Sequence, residues 1–179
     1  MKKNELRRHI ELRRHSVKGP GDVLSPEGFE LARRVGKTMR DKRYTHFIVS
    51  PYFRTLQTLV AFSEGAGDFP PTPEIRVEPG LFTTRLSEWR EAGGDIRKIL
   101  ESDRSKLVEE EGKRLKNLLL EILEEIPPDG RVLIIGHSPI LECAVYALTG
   151  QLISPLRECE GVELQYDLDG RIKMKELRL

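Results

Sequence analysis

The chain has 179 residues, 38% apolar and 33% charged, with 30 lysines and arginines balanced against 29 aspartates and glutamates. That length predicts one domain over residues 1–179, able to bury about 70% of its unfolded surface without a metal or a disulfide. A net charge of +1 argues against a dedicated nucleic-acid binder and against charge-driven disorder. Cys143 and Cys159 lack C-x-x-C spacing, so they define neither a zinc site nor a disulfide framework, and a reducing, cytoplasmic setting is expected. No apolar run approaches the ~18 residues of a membrane span, and no apolar stretch follows the basic N-terminus, so neither a membrane partner nor a signal peptide is expected.

The apolar period switches between strand and helix along the chain. Ile10–Arg14 predicts a strand, and Phe29, Ala32, Val35 and Met39 then fall on one face of a helix. Phe47-Ile48-Val49 predicts a short buried strand, followed by a helix opening at Ser50-Pro51. Leu115, Leu118, Leu119, Ile122 and Ile126 mark a further helix, stopped by Pro127-Pro128-Asp129-Gly130. Val132–Ile135 is unbroken apolar sequence of the kind parallel sheets bury on both faces. A helix from about Pro139 to Leu148 is expected to end at Gly150. Alternation at Val162, Leu164 and Tyr166, a turn at 167–170, and Ile172 and Met174 predict an edge hairpin. The fold class is therefore α/β: a three-layer α/β/α sandwich with a mainly parallel sheet and a C-terminal edge hairpin.

Serine-proline pairs occur at 25–26, 50–51, 138–139 and 154–155, a pattern suited to helix starts. Two of them follow predicted strands directly, giving tight strand-to-helix junctions at the carboxyl ends of strands, where such sheets bind ligands. Arg14 and His15 end the first strand, Arg54 lies one turn into the helix after Ser50, and His137 ends the Val132–Gly136 strand. Two arginines and two histidines thus converge beside helix N-termini that favour anions. Arginine forks match phosphate oxygens, and histidine serves as nucleophile or proton carrier. Taken alone, Arg14 and His15 are equally readable as structural side chains of the strand end; with Arg54 and His137 they describe a site that takes a phosphoryl group onto a histidine.

Four motifs carry a family resemblance. Leu12-Arg13-Arg14-His15-Ser16, Leu24-Ser25-Pro26-Glu27-Gly28, Ser50-Pro51-Tyr52-Phe53-Arg54-Thr55-Leu56-Gln57-Thr58 and Gly136-His137-Ser138 resemble, in order, the signatures of the histidine phosphatase (phosphoglycerate mutase-like) superfamily. The layout is similar to short bacterial phosphohistidine and broad-specificity phosphatases. The resemblance implies that His15 is phosphorylated, that Arg14, Arg54 and His137 bind the transferring phosphoryl group, and that water then hydrolyses the phosphohistidine. It implies no metal and no cofactor.

Two positions depart from that pattern. Serine stands at Ser16 where the family has glycine, and Leu81-Phe82-Thr83 puts threonine where it often has its glutamate acid. Glu88 is the preferred replacement, because Leu86 and Trp89 would give it an apolar pocket that keeps it protonated; Glu78, Glu91 and Asp95 are the alternatives. A missing acid also admits phosphohistidine as substrate, since imidazole, with a pKa near ~6.5, leaves without much help. The expected activity is metal-independent hydrolysis of a phosphomonoester or phosphohistidine, with a phosphorylated small molecule or phosphoprotein as partner. The alternatives are a phospho-ligand binding module and a phosphoglycerate-type mutase, which the short segment from Arg54 to His137 disfavours. Loops 64–74 and 83–110 are expected to set specificity. Gly65–Pro70 lacks a dinucleotide fingerprint, and the four histidines have no zinc spacing.

Overall fold

The central strand is β4 (Arg131–Gly136), whose residues 132–136 are buried throughout, as an apolar run covered on both faces requires. The computed structural model describes residues 7–67, 73–167 and 169–179; the basic segment 1–6, loop 68–72 and turn residue 168 lie outside them. Parallel to β4 run β1 (Arg8–Arg14) on one side and β2 (His46–Val49) on the other. A third parallel strand, β3 (Ile75–Val77), extends the β2 edge. Its three exposed residues, with Arg76 between two aliphatics, gave no periodic signal in the sequence. On the far side β5 (Gly161–Tyr166) pairs antiparallel with β1, and β6 (Ile172–Leu177) completes the hairpin. The sheet order is β3-β2-β4-β1-β5-β6.

Side chains alternate across β4 and so assign the layers. Leu133 and Ile135 join Phe47, Val49 and Phe62 in one cluster, under α1 (Pro26–Lys37) and α2 (Phe53–Ala66). Val132 and Ile134 join Ile48, Leu115 and Leu119 in the other, under α5 (Ser105–Glu125) and α6 (Ile140–Thr149). Between β3 and α5 lie two short helices, α3 (Leu86–Glu91) and α4 (Ile96–Leu100), where a loop was expected; their Trp89, Ile96 and Ile99 enter the second cluster. The α1–α2 seam is set by backbone contact. A β-carbon on Gly36 would stand 2.2 Å from the Phe62 carbonyl oxygen, and one on Gly65 2.0 Å from that of Arg33. Among the described residues no helix is long and apolar enough to cross a membrane.

The serine-proline pattern holds as a cap only at α1, where Ser25 Oγ accepts from the Gly28 amide. Ser50 and Ser138 do lie at the two strand-to-helix junctions, but α2 begins at Phe53 and α6 at Ile140, and both hydroxyls bond to other side chains. No helix follows Ser154. Helix α6 ends as expected at Gly150, with a φ of 71°.

A buried charge ties the first strand to the segment before β2. Glu11 has no exposed surface and accepts from Arg13 Nε at 2.8 Å, Lys42 Nζ at 2.6 Å and Tyr44 Oη at 2.9 Å. Burial alone would raise its pKa, but the Arg13 and Lys42 charges hold it below the ordinary 4.5. The stability it contributes is thus present above that value and lost as pH falls through the lower folded-state value. Glu11→Ala strands Arg13 and should cost about 3–5 kcal/mol in urea unfolding at pH 7; a loss under about 1 kcal/mol would show that the cluster is not cohesive.

Candidate active site

Register brings the two histidines together. Arg14 pairs with Gly136 across β1 and β4, so His15 and His137 each follow directly after the last paired residue. The His15 amide donates to the Gly136 carbonyl at 3.1 Å, and the ring centroids lie 5.1 Å apart, edge to face. Both residues are buried, His15 8% and His137 7% exposed.

The hydrogen bonds fix which nitrogen of each ring is bare. His15 Nδ1 lies 2.7 Å from the Ser16 carbonyl oxygen, which can only accept, so Nδ1 carries the hydrogen and Nε2 keeps its lone pair. That Nε2 accepts from Arg54 Nε at 3.2 Å. His137 Nδ1 accepts from Arg54 Nη2 at 3.2 Å, so its Nε2 donates to Ser50 Oγ at 2.7 Å. Burial, reinforced by Arg54 and Arg14, pushes His15 down to about 4, against the raising effect of the Ser16 carbonyl. Burial, with charge on His15, Arg54 and Arg14, takes His137 down to about 3. Both rings are therefore neutral at pH 7, and His15 presents an unprotonated nitrogen, as a nucleophile must.

One guanidinium serves both rings. Arg54 stands one residue inside α2, and its third arm, Nη1, is ion-paired with Asp22; its carbon lies 4.1 Å over the Tyr52 ring. Asp22 also accepts from the Phe53 amide at 2.7 Å, capping the start of α2 in place of Tyr52, which offers no side-chain cap. The sequence reading passed over Asp22; its only signal was the turn Gly19-Pro20-Gly21, where Gly21 has a φ of 70° and delivers the following carboxylate toward α2. Arg14 stands beside the pair rather than between the rings. It donates to the Leu156 carbonyl at 2.7 Å and pairs with Glu158 at 2.8 Å, while its charge reaches both histidines. Ser16 turns away: its hydroxyl donates to the Gly28 carbonyl at 2.7 Å and its amide to Thr58 Oγ1 at 3.0 Å, stitching the loop after His15 to α1 and α2.

A cleft of about 210 Å³ opens over Arg54 and His137, next to His15. Its lining includes Tyr52, Phe82, Thr83, Leu86, Trp89, Arg90, Lys18 and Ser138. Trp89 is buried yet its Nε1–H has no partner among the described residues. Glu88 does not belong to this cleft. At roughly 100° per residue, Leu86, Trp89 and Arg90 share one face of α3 and Glu88 falls on another. It is half exposed and held by Arg85 at 2.7 Å, and that bond lowers its pKa, the reverse of the protonated pocket expected for it. The alternatives are also engaged elsewhere: Glu78 with the Gly80 amide and Arg76, Glu91 with Arg104, Asp95 with the Arg97 amide. Thr83, at the position of the missing glutamate, is buried and lines the cleft. Among the described residues no three histidines, cysteines or carboxylates cluster to hold a metal.

With this geometry in place, the comparisons with known proteins are unambiguous at family level. The chain belongs to the histidine phosphatase superfamily (branch 1), whose family model matches residues 8–166. Among curated proteins none matches the sequence significantly. Similar solved structures include a phosphoglycerate mutase from Bacillus anthracis str. Sterne, at 14% identity and a TM-score of 0.75 over 97% of this chain and 93% of that one. A phosphoserine phosphatase from Entamoeba histolytica, in complex with 3-phosphoglyceric acid, has 16% identity and a TM-score of 0.73 over 96% and 98%. A mycobacterial glucosyl-3-phosphoglycerate phosphatase has 16% identity and a TM-score of 0.67 over 96% and 99%. At these identities the shared property is the fold. Since the mutase is covered almost entirely, chain length does not separate mutase from phosphatase here.

The tautomers and low pKa values can be read directly. In an NMR titration of labelled imidazoles, both His15 and His137 should remain neutral from pH 8 down to about 5, with His15 titrating near 4 and His137 near 3. A midpoint near the ordinary 6.5 for either ring would refute the buried, arginine-flanked environment described above.

Proposed function

We propose that this protein is a phosphatase acting through a phosphorylated His15. The observation that carries this reading is the bare Nε2 of His15, oriented by the Ser16 carbonyl and 3.2 Å from the guanidinium of Arg54. A phosphoryl group entering there exchanges places with existing hydrogen bonds: Arg54 turns its donors from the two imidazoles to phosphoryl oxygens, as a fork suited to such oxygens. His137 Nδ1, freed from Arg54, takes up a proton from solvent beside the incoming dianion and donates a hydrogen bond to it, returning that proton to solvent when phosphate leaves. Arg14 adds charge from the side. Positioning and charge stabilisation are the main demands of phosphoryl transfer. Water then attacks phosphorus and releases His15.

The lining of the cleft supports a small phosphomonoester over a flat protein surface. Lys18 and Arg90 are donors, set around about 210 Å³ of space. They fit a leaving group that carries acceptor oxygens of its own. Two of the similar structures are named for phosphatases of phosphoserine and of glucosyl-3-phosphoglycerate, substrates of that kind.

Phosphate release from p-nitrophenyl phosphate, with EDTA present, is the direct test. Turnover should survive EDTA, and ³²P from a labelled substrate should be trapped on the wild type and not on His15→Ala. His15→Ala should lose about 10³-fold or more in kcat, and Arg54→Ala about 10²–10³-fold. Stoichiometric phosphate binding without turnover by the folded protein would favour a binding module, and an isomerised ester without free phosphate a mutase.

A further inference from the structure

Among the described residues outside the pair of histidines, one buried carboxyl has no cation to neutralise it and is not used by the reading above. Glu142 lies in the first turn of α6 with 2% of its surface exposed. Its Oε1 accepts from the Leu156 amide at 2.8 Å and from the Ser138 hydroxyl. Its Oε2 is buried with no hydrogen-bond partner, and Glu142 forms no ion pair among the described residues. Ser138 follows His137 directly and lines the cleft. Glu142 is thus separated from the reaction site by a single hydroxyl group.

The surroundings favour the neutral acid. Burial is the dominant influence and raises the pKa; the Leu156 amide, the Ser138 hydroxyl and the charge of Arg14 on β1 oppose it without reversing it. Cys143, next along α6, is a buried thiol that burial pushes up to about 12, so it brings no charge at neutral pH. Glu111 of α5, beyond Cys143, is paired with Arg114. No neighbouring element therefore supplies a cation in contact with Glu142.

We propose that Ser138 and Glu142 form the proton relay to the leaving-group oxygen, with Ser138 Oγ touching the substrate and Glu142 supplying the proton from behind it. This rests on the phosphatase reading. As His15 Nε2 bonds to phosphorus, the P–O bond to the leaving group breaks, and the departing oxygen takes the Ser138 hydroxyl proton. Ser138, which donates to Glu142 Oε1 at rest, turns its hydroxyl to that departing oxygen, and the protonated Glu142 carboxyl then donates to Ser138 Oγ, leaving a carboxylate. In the second half water bonds to phosphorus, the N–P bond breaks back to His15, and the proton given up by water returns through Ser138 to Glu142. Atoms and charge balance over the cycle, and no further reactant is needed. The relay fills the role left open by threonine at Thr83 and makes ordinary phosphate esters accessible substrates.

Its signature is dependence on the leaving group. Glu142→Gln and Ser138→Ala would be compared with wild type on p-nitrophenyl, phenyl and benzyl phosphates, which share a ring but release oxygens of decreasing acidity. Proton donation of this kind contributes about 10²–10⁴-fold. In both variants the loss in kcat relative to wild type should grow with the basicity of the leaving group, smallest on p-nitrophenyl phosphate, larger on phenyl phosphate and about 10²-fold or more on benzyl phosphate. On benzyl phosphate, wild-type kcat should fall on an alkaline limb that Glu142→Gln removes. Ser138→Ala keeps the carboxyl in place and decides the matter if Glu142→Gln fails to fold. Equal losses on all three esters, or none on benzyl phosphate, would overturn the relay while leaving the phosphatase reading intact. Hydrolysis of none of the three by wild type would overturn that reading, and the relay with it.

Discussion

The parallel pairing of β1 with β4 is the constraint on which the site depends. Its register sets Arg14 opposite Gly136, and the next residue on each strand is a histidine. Because strand spacing is fixed near 4.8 Å by backbone hydrogen bonds, two imidazoles at those positions must be neighbours. A slip of one residue would send one ring to the wrong layer, and the core on both faces of β4 makes such a slip costly. The same buried alternation that holds the sheet together therefore also aligns the chemistry.

Around that pair the charge is arranged to keep both rings neutral while a cation stays in contact with them. Burial and two arginines disfavour imidazolium, and Arg54 satisfies the bare nitrogen of each ring. Asp22 balances the guanidinium from outside and fastens it to the start of α2. In the proposed reaction, substrate would enter by exchange of partners rather than by filling an uncompensated positive site. Such exchange tempers affinity for any anion that offers fewer acceptor oxygens than the contacts it displaces.

The sequence carried much of this in patterns of three kinds. Unbroken or alternating apolar runs located β1, β2, β4 and the hairpin, and heptad-like spacing located α1 and α5. Residue type at strand ends selected His15, Arg14, Arg54 and His137, of which the structure joins His15, Arg54 and His137 directly and sets Arg14 beside them. What escaped has physical reasons. Strand β3 is too short for a period, and α3 and α4 contribute single buried anchors, Trp89, Ile96 and Ile99, rather than stripes. Glu88 was chosen for its neighbours in sequence, but on a helix the neighbours that matter are three and four residues away. Asp22 and Glu142 draw their significance from partners 31 and 14 residues distant, Phe53 and Leu156, which no local pattern reports.

The backbone contacts at Gly36 and Gly65 have a consequence for how this molecule can change. They fix the distance between α1 and α2 by main-chain atoms, so the plate that carries Arg54 admits almost no variation at its seam. The opposite rim of the cleft is made differently. Helix α3 is short and tied at the surface by pairs such as Arg85–Glu88 and Arg104–Glu91, which contribute little individually. Substitutions at that rim can therefore reshape what the cleft admits without disturbing the packed seam that holds Arg54 in place.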